Sequence, residues 1–119
     1  MKEICVNNVS RSEVLVPRAR WCASRLCRMV GLQFHRPLRG GEGLLMKMKE
    51  EGVGITSIHM FFVFFPIAAI WINNDLQVTS AQLAKPFRPF YASPAPARYV
   101  LETTVDALER VSIGDQLEF

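Results

Sequence analysis

A chain of 119 residues, half of them hydrophobic and 21% charged, has ordinary globular size and balance, which excludes disorder over its whole length and allows a core without staples. The net charge of +3 is a weak argument for a nucleic-acid partner. It is unevenly spread, though: residues 11–49 hold nine Lys or Arg against two Glu, and residues 99–119 hold one Arg against five acids. Such asymmetry marks either a basic binding face or two segments that neutralise each other in the fold, and the second reading is preferred.

Taken in chain order, residues 1–10 are polar and read as a frayed end or a short edge strand. They contain no apolar run, so no secretory leader is expected. Val14 to Cys22 reads as a strand, with Arg18 and Arg20 alternating with Ala19 and Trp21. Pro17 cannot donate to a ladder, so this strand is placed at an edge or at a bulge. Ala23 to Leu32 reads as a short helix with Ser24 as its N-cap and Gly31 as its stop. Leu26, Met29 and Val30 would form its inward stripe. A loop follows from His35 to Gly43, then a strand from Leu44 to Met48 and a turn over Glu50 to Gly54.

Thr56 to Ile72 is the most apolar stretch. Phe61, Phe62, Phe64 and Phe65 cannot share one face of a strand, so the region is expected to be buried on both sides or to meet a partner. Pro66 is expected to divide it into two strands. The 13 apolar residues from Met60 to Ile72 are too few for a membrane span, which needs about 20. Asn73-Asn74-Asp75 marks a hairpin turn. Four prolines make Lys85 to Ala97 an extended loop, preferred as a lid folded over the core; its Phe87, Phe90 and Tyr91 beside Lys85 and Arg88 also suit single-stranded nucleic acid. A strand from Arg98 to Glu102, a short helix to about Val111 and a last strand from Gln116 to Phe119 complete the chain. The fold class is α+β, mainly antiparallel: a small barrel-like or sandwich-like sheet with one or two short helices, in a single domain over residues 1–119.

Catalytic signals are weak. Cys5, Cys22 and Cys27 are odd in number and form no CxxC, so neither a disulfide framework nor a zinc site is indicated, and small buried thiols in a reducing compartment are expected. Gly40-Gly41-Glu42-Gly43 lacks the ending of a phosphate-binding loop and reads as a turn. No serine sits in a nucleophile elbow. His35 is expected to be solvated. His59 is expected to be half-buried and hydrogen-bonded, since neither histidine has converging partners in the sequence.

The run Arg28-Met29-Val30-Gly31-Leu32, with Arg36, Leu38 and Gly43-Leu44, is followed by Ile58-His59-Met60-Phe61-Phe62, Pro66-Ile67, Tyr99-Val100-Leu101-Glu102 and Gly114-Asp115. In this order and spacing, from about Val14 to Phe119, the chain resembles the family named domain of unknown function 192. The resemblance implies a small β-rich fold and no established reaction. The chain departs from the family pattern at Phe65, where a polar or basic residue is frequent, at Ala68, where an acid is, and at Asp106, where Gly is. A polar pocket shared by the family would be reduced here.

The residues point to a cytoplasmic binding or accessory module without catalytic activity. Its candidate pocket comprises Arg28, Arg36, His59, Glu102 and Asp115. Glu102 and Asp115 are preferably read as ion-paired with Arg28 or Arg36, fixing the helix to the sheet; the other reading is an anion-binding cluster. No catalytic residue, metal or cofactor is assigned. Two alternatives stand beside this: a protein that contacts nucleic acid through basic segment 11–49, and a hydrolase or transferase with an unfamiliar site. Self-association through Phe61, Phe62, Phe64 and Phe65 is expected, with no membrane or nucleic-acid partner.

Overall fold

Aliphatic and β-branched side chains two residues apart set the strands. In the computed structural model, which describes residues 2–119, these segments form one seven-stranded sheet. Its members are β1 (Glu3–Asn8), β2 (Glu13–Cys22), β3 (Glu42–Gly52), β4 (Ile67–Ile72), β5 (Val78–Ala84), β6 (Ala97–Thr103) and β7 (Leu117–Glu118). The spatial order is β5-β4-β6-β3-β2-β1-β7. All neighbours are antiparallel except β2 and β3, which run parallel. The sheet coils into a half-barrel. Its two ends meet where Leu117 N–H donates to Leu76 O at 2.8 Å and Val78 N–H to Asp115 O at 2.9 Å.

At β4 both faces of this sheet are buried, which is why that strand reads as an unbroken apolar run. Toward the inside point Val6, Leu15, Ala19, Leu45, Ile70, Leu101 and Leu117, capped by Ala107 and Val111. On the outside Leu44, Met46, Ala69, Trp71 and Val100 meet Leu32, Ile58, Met60, Val63 and Phe65 from the covering segments. Trp71 is fully buried and donates Nε1–H to Thr56 O at 2.8 Å, which ties one covering segment to the sheet.

Several expectations change. Of the barrel-like and sandwich-like alternatives the coiled sheet is the barrel-like one, and the helical part shrinks to a six-residue helix, α1 (Arg25–Val30), with 3₁₀ turns at Val9–Arg11 and Val105–Glu109. β1 is neither frayed nor at an edge, because it lies between β2 and β7. Pro17 does sit at a bulge, where Val16 to Ala19 opposes the shorter stretch Val6 to Ile4. Pro66 separates β4 not from a second strand but from an irregular stretch that pairs only through an Ile58–Tyr91 bridge.

The helix is capped as expected: Ser24 Oγ accepts from Cys27 N–H at 3.1 Å, and Gly31 stops it at φ 53°. Its expected inward stripe faces solvent instead, with Leu26 71% and Met29 65% exposed and Val30 also exposed. The reason is the docking residue. Cys27 packs against the outer core and is disulfide-bonded to Cys22 at a Cα separation of 5.6 Å, which turns the other side of so short a helix outward. This bond overturns the expectation of free buried thiols, and Cys5, the remaining cysteine, is exposed. No helix among the described residues is long and apolar enough to cross a membrane.

Candidate functional site

Strand pairing places Glu102 of β6 opposite Leu44 of β3 and Ala69 of β4, on the outer face of the sheet. α1 and the stretch around His59 cover this face and leave a cavity of about 70 Å³, lined by Arg28, Gly31, Met46, Met48, His59 and Glu102 among others. Glu102 is 4% exposed. Among the described residues no ion pair engages its carboxyl group. A Cβ added to Gly31 would lie 3.9 Å from Glu102 Oε1, so the left-handed turn that ends α1 forms the roof over the carboxyl. Burial pushes this carboxyl from its ordinary value near 4.5 up to about 7. The floor of the cavity is therefore a carboxyl group poised between its neutral and charged forms near neutral pH.

The expected partners are engaged elsewhere. Arg28 Nη1 donates to Ala23 O and, at 3.1 Å, to Lys47 O, which fastens α1 to β3. Arg36 grips Glu42 through two parallel hydrogen bonds of 2.9 Å. With the Arg39 N–H also donating to it, the Glu42 carboxyl is held down at about 2. Asp115 accepts from Asn8 Nδ2 and Ser112 N–H, each at 2.9 Å, and lies 3.5 Å from Arg11 Nε. The Asn8 bond, first of all, lowers its pKa. The ion-pair reading of Glu102 is thus corrected, because the carbonyls and Glu42 satisfy both arginines. Of the five candidate residues, Arg28, His59 and Glu102 line one cavity. Arg36 lies with Arg18, Arg20 and His35 along a separate cleft of about 250 Å³ that also holds Glu3 and Glu42. Asp115 lies beside the 3₁₀ turns.

His59 is exposed rather than half-buried. Its Nδ1 accepts from Phe61 N–H at 3.2 Å, so the neutral ring carries its proton on Nε2. No group of three His, Cys, Asp or Glu side chains that could hold a metal occurs among the described residues. Among the described residues the basic stretch 11–49 is ion-paired with the acidic end only at Arg11, through Asp115, while Arg110 meets Glu13 at 3.6 Å.

The phenylalanine-rich stretch divides. Phe65 is buried, whereas Phe61, Phe62 and Phe64 are exposed. Phe34 stacks on Phe62 with centroids 4.9 Å apart, and Phe64 meets the edge of Phe87 at 5.1 Å. The proline-rich loop is likewise divided: Tyr91 pairs with Ile58 and packs on the core, whereas Phe87 and Phe90 stay exposed. The sequence reading left Gly31, Met46 and Met48 out of the pocket. The period-2 alternation of Leu44, Met46 and Met48 was the available signal for the two methionines.

The DUF192 family, described as Uncharacterized ACR, matches residues 6–119. A UPF0127 protein of Pyrococcus furiosus is 28% identical over 114 residues, spanning 94% of this chain and 95% of its own. A UPF0127 protein of Thermococcus sibiricus is 34% identical over 65 residues, which are 53% of this chain and 42% of its own. Two solved structures are similar. One, from Sinorhizobium meliloti and described as a candidate transcription regulator, superposes with a TM-score of 0.83 at 24% identity, covering 96% of this chain and 89% of its own. The other, of unknown function from Novosphingobium aromaticivorans, gives 0.84 at 21% identity over 98% and 84%. At these identities the structural likeness shows the fold alone.

Proposed function

Starting from a chain that belongs to the DUF192 family, we propose that it is a binding module that seats the head group of a small ligand on Glu102. The observation that carries this reading is a buried carboxyl with no ion-pair partner, facing a cavity. An isolated buried carboxylate is unfavourable, and a donor group brought by a ligand relieves it. A cavity of about 70 Å³ is far below the 300 Å³ or more of a pocket that encloses a whole drug-sized ligand. It therefore holds the end of a molecule, with an apolar stem against Met29, Met46 and Met48. An amine suits the charged carboxylate above pH 7, and a hydroxyl suits either form. His59 at the mouth offers Nε2–H to the outer part of such a ligand.

The test is a titration at pH 8, followed by backbone amide chemical shifts, with n-butylamine, n-butanol and n-butyrate. The amine is expected to move the resonances of Gly31, His59 and Glu102 with the largest amplitude, and Glu102→Gln to abolish the response. Equal responses to amine and butyrate, or an unchanged response in the variant, would remove the reading.

Nucleic-acid contact is a second reading. Its support is the arginine cleft at Arg18 and Arg20, together with the description of the Sinorhizobium meliloti relative in fold. Glu3 and Glu42 in the same cleft weigh against it. Retention on a polyanion column that fails to fall with rising salt would dismiss it.

A further inference from the structure

Three segments cover the outer face of the sheet: residues 23–41, 53–66 and 85–96. They carry an unusual surface. Phe34 is 71% and Phe64 60% exposed, with Phe62 and Phe87 also exposed, and the four rings touch one another in a continuous cluster. Phenylalanines commonly bury 150–250 Å² each, so these four alone present about 400 Å² of apolar surface. Leu26, Met29 and Val30 of α1 add to the exposed apolar surface of the same layer. That is about the size of the largest apolar patch on a typical monomer, and such patches are often functional.

The backbone shows that this display is built in. Phe34, Phe62 and Phe87 have φ of 57°, 59° and 61°. Left-handed backbone is an outlier for a bulky residue and persists only where the surroundings enforce it. Phe34 is held there by donating its N–H to Phe62 O at 2.8 Å, and Phe87 by donating to Met60 O at 2.8 Å. Three of five such non-glycine positions in the described chain thus serve one aromatic cluster.

Charge decides what covers it. The three segments carry Arg25, Arg28, Arg36, Arg39, Lys85 and Arg88 and no acidic residue. Arg36 and Phe34 are two residues apart, and Lys85 and Arg88 flank Phe87. Arg25, Lys85 and Arg88 have no ion-pair partner among the described residues. A second copy docked face to face would bring like charges together. Stacking of nucleic-acid bases needs rings spaced to take successive bases, whereas Phe34, Phe62, Phe64 and Phe87 are packed against one another, with Phe34 and Phe62 each using one face on the other. Aliphatic and aromatic side chains on a cationic layer instead match an interface with an apolar interior and an anionic surface.

We propose that this layer docks on anionic lipid bilayers, with Phe34, Phe62, Phe64 and Phe87 entering the acyl boundary and Arg25, Lys85 and Arg88 meeting the head groups. The docking is peripheral, and none of these phenylalanines and cations lines the Glu102 cavity.

The test is co-sedimentation of the whole chain with vesicles of phosphatidylcholine alone and of phosphatidylcholine with 30 mol% phosphatidylglycerol. Binding to the anionic vesicles is expected to be at least tenfold stronger and to fall steeply between 50 and 300 mM salt. Phe64→Ser, at an exposed position, is expected to weaken it at least fivefold at unchanged thermal stability. Should that variant fold poorly, Phe64→Trp gives a second readout: the introduced indole should be quenched by brominated lipid beyond the quenching of Trp21 and Trp71 in the unaltered chain. Equal affinity for both vesicle types, an absence of binding to either, or no added quenching would overturn the proposal. So would tight binding to a single-stranded oligonucleotide without vesicle binding, or a dimer in sedimentation that Phe64→Ser dissociates.

Discussion

Replacing Glu102 by Gln removes a group whose charged form the fold disfavours while keeping its size. In the native protein the carboxyl titrates at about 7, against 4.5 ordinarily. Between those values the folded chain holds a proton that the unfolded chain has released. The linkage relation then makes stability fall as pH rises through this window, and the loss is complete above pH 7. At 1.36 kcal/mol per pH decade the full gap corresponds to about 3 kcal/mol, of which about 2–3 kcal/mol is lost between pH 5 and pH 8. In a chain of this length that is a drop of about 10 °C in Tm. Glu102→Gln cannot ionise, so the difference between variant and parent isolates this group from every other titration. Urea unfolding should show the two within about 1 kcal/mol at pH 5 and the variant more stable by about 2–3 kcal/mol at pH 8. A difference that stays flat with pH, or a variant less stable at pH 8, would refute the claim that an unpaired carboxyl is buried here.

Thiol titration of the native, unreduced protein should find one reactive cysteine, Cys5, and reduction should expose three; three without reductant would contradict the Cys22–Cys27 bond. Cys27→Ser should lower unfolding free energy by about 2 kcal/mol, as expected for a short closed loop, measured by urea unfolding. Gly43→Ala would place a Cβ 3.0 Å from Glu102 O and 3.1 Å from Val16 Cγ1, and should destabilise by about 1–3 kcal/mol. Glu42→Gln should remove stability that is present above pH 4.5 and lost as pH falls toward 2. Because the pair is partly solvated, its loss should measure no more than about 1 kcal/mol at pH 7.

The strands were legible where apolar periodicity met punctuation. Ser24 and Gly31 bracket α1, Asn73-Asn74-Asp75 turns β4 into β5, and Pro17 marks a bulge. What failed depended on contacts remote in sequence. The helix stripe of Leu26, Met29 and Val30 had the right period for an inward face, yet Cys27 docks the helix and turns that stripe to solvent. The Cys22–Cys27 bond was hidden because an odd cysteine count argues against a framework but says nothing about one local pair. Thr56 to Pro66 had the composition of a strand, but its phenylalanines are split between core and surface in a way only an irregular backbone allows. At the cavity, Arg28, His59 and Glu102 were named from composition and order. Arg36 was drawn away by Glu42, six residues on across a loop, a separation at which neither helix nor strand periodicity pairs side chains. Asp115 was drawn away by Asn8, which no local pattern reveals.

The single parallel pair in an otherwise antiparallel sheet has a lasting consequence. β2 and β3 cannot be joined by a tight hairpin, so the chain must travel over the sheet to return in the same direction. Residues 23–41 make that journey and leave behind a roof above Glu102. Roof and floor thus answer to different constraints: strand partners hold Glu102 in register from both sides, whereas the returning segment is held at discrete anchors, among them Ser24, Cys27, Arg28, Gly31, Leu32 and Arg36. Substitution can then accumulate along its outer surface and retune what the scaffold touches, leaving the sheet beneath undisturbed.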